Sequence, residues 1–79
     1  MTDFQPSTTL ADVPIGKSAL ILAHHTNPEL SRRLKELGLR IGRFVSVHQK
    51  TSGGGQIIRV GESRYAVDKR TLRAVEVRL

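Results

Sequence analysis

The chain has 79 residues, with 13 Lys and Arg against seven Asp and Glu for a net charge of +6, three aromatic residues and no cysteine. A chain of this length makes one domain with a small core and no room for a large catalytic cleft, and without cysteine it has no disulfide framework, thiolate nucleophile, zinc ribbon or iron–sulfur site. The basic excess favours acidic partners, whether nucleic acid, anionic lipid or an acidic protein surface, and three aromatics are few for stacking exposed bases.

Residues 1–9 are polar, with Pro6 and hydroxyls at Ser7, Thr8 and Thr9, and read as a flexible tail ahead of a domain at 10–79. The tail has neither a basic cluster nor an apolar stretch of signal length, so no secretory or transit signal is written there and cytoplasmic residence is expected. Residues 10–16, interrupted by Pro14 and closed by Gly16, read as a turn that tucks Leu10, Val13 and Ile15 into the core. A strand is predicted over 18–24, apolar on both faces at its centre and therefore buried. Its apolar run of five residues, 19–23, falls far short of the roughly 20 needed to span a bilayer, so no insertion into the membrane is expected.

A helix is predicted over 28–37. Asn27 is placed to accept from a free backbone N–H, Pro28 occupies the first position where no donor is missed, and Glu29 suits the dipole of the first turn. Leu30, Leu34 and Leu37 share one face, and Glu29–Arg33 and Arg32–Glu36 are spaced as i,i+4 ion pairs. Gly38 suits the left-handed position that ends a helix, and Gly42 the turn into the next strand.

Strands follow over 43–50, 56–60 and 64–67, joined by a Gly-rich hairpin loop at 51–55 and a tight turn at 61–63, which implies consecutive antiparallel pairing. Asp68 is placed to cap one helical turn. The last strand, 74–79, alternates Val75, Val77 and Leu79 with Glu76 and Arg78 and reads as a half-buried edge through which copies of the chain could weakly associate. Five short strands and one helix between the first two make a mainly β fold, a small barrel with the helix closing one end. An SH3-like barrel fits this order; in an OB-fold the helix would fall between the third and fourth strands.

Catalytic patterns are absent. His24 and His25 are strand neighbours that point to opposite faces, so only one of them could meet His48, and two imidazoles do not complete a metal site. Gly53, Gly54 and Gly55 match neither the dinucleotide-binding nor the P-loop spacing and read as a hairpin loop. The hydroxyl residues sit in caps, turns and the tail with no nucleophile elbow. The reading is a non-enzyme with no catalytic, cofactor-binding or metal residues. What remains is charge: Arg32, Arg33, Lys35, Arg40 and Arg43 cluster around the helix and its exit turn, and Arg pairs as well with carboxylate as with phosphate.

Three segments resemble the FeoA family, small bacterial proteins that accompany the ferrous iron transporter FeoB. Residues 10–21, LADVPIGKSALI, are similar to the family's opening; residues 33–47, RLKELGLRIGRFVSV, resemble its centre, a helix stop, turn and strand at fixed spacing; residues 65–77 resemble its closing strand, turn and strand. Arg40-Ile41 and Gly55-Gln56 stand where the family often carries a proline in the turn. The resemblance implies an SH3-like, non-catalytic, cytosolic accessory of a transporter with a GTPase domain, supporting Fe²⁺ uptake. Arg33 is the basic position that falls within the family pattern. The alternative is a small basic nucleic-acid-binding or regulatory barrel related to the SH3-like module of iron-dependent repressors.

Overall fold

Period-two alternation of apolar and polar residues dominates the chain, and in the computed structural model, which describes residues 8–79, it yields six strands in one antiparallel sheet. They are β1 (Thr8–Thr9), β2 (Ser18–His24), β3 (Phe44–Lys50), β4 (Gln56–Val60), β5 (Ser63–Val67) and β6 (Val75–Arg78), in the spatial order β1-β6-β2-β3-β4-β5. Helix α1 (Pro28–Glu36) joins β2 to β3, and α2 (Lys69–Arg73) joins β5 to β6. The inward face carries Ala19, Ile21, Val45, Val47, Ile58, Val60, Val67, Val75 and Val77, over which Leu10, Val13, Leu34, Leu39 and Leu72 pack.

The expected flexible tail at 1–9 lies only partly within the described residues. Residues 1–7 lie outside the described residues, whereas Thr8 and Thr9 pair with Val77 and Glu76. This pairing makes β6 an interior strand between β1 and β2, so its expected role as a free edge is corrected. Full-length edge exposure belongs instead to β5. Ile15 is exposed, not buried: Lys17 N–H donates to Pro14 O at 3.1 Å, and Ile15 and Gly16 form the apex of that turn. A buried Gln56 ties β4 to the segment after β1, its Nε2 donating to Ala11 O at 3.2 Å.

Strand β2 has one buried face, not two. Its register against β6 slips between Ile21 and Ala23, and this bulge leaves Leu22 exposed while Ala19 and Ile21 stay in the core. Helix α1 begins as the sequence predicts, with Asn27 Oδ1 accepting from Leu30 N–H at 2.8 Å. Its end is a complete Schellman motif: Gly38, at φ 94°, donates to Lys35 O (3.0 Å), and Leu39 donates to Leu34 O (2.9 Å). The reversed chain drives Leu39 to 0% exposure beside Leu34, while Leu30 and Leu37 are half-buried. The expected leucine face is thus shifted by the cap, and Leu39, outside the helix, is its deepest member.

Candidate functional site

The five basic residues predicted from sequence are all exposed. Arg32 and Arg33 leave α1 about 100° apart. Arg33 stands with Leu30, Leu34 and Leu37 in the wall of a cleft of about 250 Å³, whose opposite side is Ala66, Val67, Asp68 and Thr71. Arg33 also lines a second cleft, together with Arg32, Glu29 and Glu36. Arg40 folds back on the helix, its Nε donating to Lys35 O at 3.4 Å, where a cation complements the carbonyl end of the dipole. Arg43 ends the exit turn, its carbonyl accepting from Ile21 N–H at 3.0 Å. Part of this charge therefore serves the fold.

The histidines also diverge. The β2 bulge puts His24 opposite Val75 on the inward side, and both ring nitrogens are buried without a hydrogen-bond partner among the described residues. His25 points outward and its Nε2 lies 2.7 Å from Glu76 Oε1; this, not an i,i+4 pair along α1, is the close ion pair found among the described residues when the ring is protonated. His48 is exposed on β3. Among the described residues no three His, Asp or Glu side chains converge in a way that could hold a metal ion.

Comparison with known proteins assigns the whole described chain. The model of the FeoA domain matches residues 8–79. The chain belongs to the FeoA family. The FeoA of Stenotrophomonas maltophilia, solved with zinc and described as a prokaryotic SH3-domain protein and candidate ferrous iron transport activating factor, is 32% identical with a TM-score of 0.75, over 89% of this chain and 88% of that one. A second FeoA, described as an iron uptake regulatory protein, is 25% identical with a TM-score of 0.83, over 92% and 97% of the two chains. The manganese regulator SloR, 18% identical, shares the fold over 89% of this chain and 33% of its own, with a TM-score of 0.75. No curated protein matches.

The SH3-like architecture predicted from strand order is thus that of the FeoA family, and no helix among the described residues is long and apolar enough to cross a membrane. Arg59 and Arg64 count among the basic residues of the sequence, but their placement on one sheet face of this FeoA-family chain was not read there. Ser18, Ser46, Arg59 and Arg64 form a row across β2, β3, β4 and β5, and Arg78, Leu20 and Phe44 form the next row across β6, β2 and β3. These positions alternate with the core valines and so face outward. The signal lay in the β4–β5 turn. Val60 pairs with Ser63 across a two-residue turn, Gly61-Glu62, which sets Arg59 opposite Arg64. A turn read as 61–63 sets Arg59 opposite Tyr65 instead.

Proposed function

We propose that this FeoA-family protein is a non-catalytic cytosolic accessory of ferrous iron uptake that acts by contacting a FeoB-type membrane transporter. The observation that carries the reading is the match of the FeoA domain model over residues 8–79. A small core filled by aliphatic side chains agrees with an interaction role.

The contact surface in this proposal is the helix–turn face of Arg32, Arg33, Lys35, Arg40 and Arg43. Arg33 is its centre: it falls within the family pattern and borders the cleft between α1 and the β5–α2 end. Arg33→Glu should reduce ferrous iron uptake several-fold in cells that depend on this protein, with the melting temperature unchanged within a degree or two. Measuring radioactive Fe²⁺ uptake beside thermal unfolding checks both parts. Uptake at the wild-type rate by Arg33→Glu and Arg32→Glu would remove this face from the proposal.

A further inference from the structure

The outward face of the sheet has a composition that folding explains only in part, through Arg59 Nε donating to Gly61 O at 3.2 Å in the β4–β5 turn. Arg59 and Arg64 stand directly opposite each other on β4 and β5, a like-charge cross-strand pair that disfavours the hairpin. In the adjoining row Phe44 is 66% exposed, opposite a half-buried Leu20 whose other neighbour is Arg78. Immediately before Phe44, the turn closed by Arg43 N–H to Arg40 O (3.0 Å) presents Ile41 at 60% exposure, and Gly42 N–H to Ile21 O (2.8 Å) seats that turn beside the exposed Leu22. Large apolar side chains at a protruding turn and strand entry are thus flanked by Arg43, Arg59, Arg64 and Arg78. Among the described residues no carboxylate closes an ion pair on these arginines.

We propose that this outward sheet face rests on an anionic phospholipid surface, with Ile41 and Phe44 entering the headgroup boundary and Arg59, Arg64 and Arg78 meeting lipid phosphates. Charge complementarity sets the sign of the partner: the chain carries +6 overall, and the face concentrates guanidinium groups. Shape selects the class. The energetic centres of protein contacts are side chains seated in pockets, and the clefts described above line α1 and the β5–α2 end, away from Phe44 and Ile41. Apolar groups that project from a basic surface fit a bilayer interface, where apolar burial and attraction to anionic headgroups act together. The protein lies on such a surface without spanning it. This inference does not depend on contact with a transporter.

The test is flotation of the purified full chain with vesicles of phosphatidylcholine containing about 30% phosphatidylglycerol, against phosphatidylcholine alone. The proposal expects binding to the anionic vesicles that is lost in high salt and absent from the neutral ones. Ile41→Ser with Phe44→Ser should weaken it roughly tenfold, and Arg59→Glu about fivefold or more. Arg70→Glu on α2 makes the same change in net charge and should stay within about twofold of wild type. Arg59→Glu removes the exposed bond to Gly61 O but replaces a like-charge pair by an opposite one, so its melting temperature should shift by no more than a few degrees, which separates lost binding from lost folding. No binding to anionic vesicles, equal losses for Arg70→Glu and Arg59→Glu, or unchanged binding by the Ile41 and Phe44 variant would each overturn the proposal. So would capture of an acidic protein segment by this face in the absence of vesicle binding.

Discussion

Leu39 illustrates how a single residue outside any regular element can set the core. The Schellman bonds from Gly38 and Leu39 to Lys35 and Leu34 hold it fully buried, whereas Leu30 and Leu37 keep part of their surface in water. Leu39→Ala should therefore cost about 2–5 kcal/mol and exceed Leu30→Ala and Leu37→Ala, as read from urea unfolding. Gly38 is equally constrained. Its φ is 94° and an added Cβ would lie 3.3 Å from Val60 Cγ1, so Gly38→Ala should destabilise by more than about 1 kcal/mol. Gly42, at φ 89° with open space around it, bears only the backbone strain, and Gly42→Ala should cost less than Gly38→Ala. His24 predicts the opposite sign. Its two buried ring nitrogens lack partners among the described residues, so His24→Leu keeps an apolar body and removes both, and stability should hold or rise by about 1 kcal/mol in the same assay.

At the scale of elements, α1 depends on its ends. Asn27→Ala removes the 2.8 Å bond to Leu30 N–H and should cost about 1 kcal/mol. Arg40→Glu replaces a cation at the carbonyl end with an anion and should cost about 0.3–1 kcal/mol. Any loss of iron uptake in Arg40→Glu therefore includes a folding component, larger through its lost bond to Lys35 O than that of Arg33→Glu in the last turn of α1. The elements legible in the sequence were those with local chemical signatures: Asn27-Pro28 at the helix start, Gly38 at its stop, and the alternating valines of β3 and β6. Misread features depend on tertiary partners or on one-residue slips. The bulge in β2 cannot be told from a doubly buried run, because Leu22 is as apolar as Ile21. The β4–β5 turn is one residue shorter than it reads, and that slip hid the Arg59–Arg64 pair. Asp68 occupies a cap position, yet its side chain makes no capping bond.

For the whole molecule, strand order and the single main helix were enough to choose an SH3-like fold, and the central segment at 33–47 was enough to reach the FeoA family. The sequence gives no sign that Thr8 and Thr9 cover β6, since two threonines after Pro6 carry no apolar pattern; only their pairing with Val77 and Glu76 makes them a strand. Charge was visible in the sequence but its placement was not. The basic residues divide between the helix–turn region and the outward sheet face, with Arg43 bordering both, a division set by register and helical phase. The first surface is assigned to the transporter and the second to the anionic bilayer. The measurement that tests the functional account most directly is titration of the purified protein into detergent-solubilised FeoB-type transporter, followed by calorimetry. Saturable binding that weakens with Arg33→Glu and persists with Arg59→Glu is the predicted result. No heat of binding to the transporter, together with saturable binding to duplex or single-stranded nucleic acid in physiological salt, would contradict it.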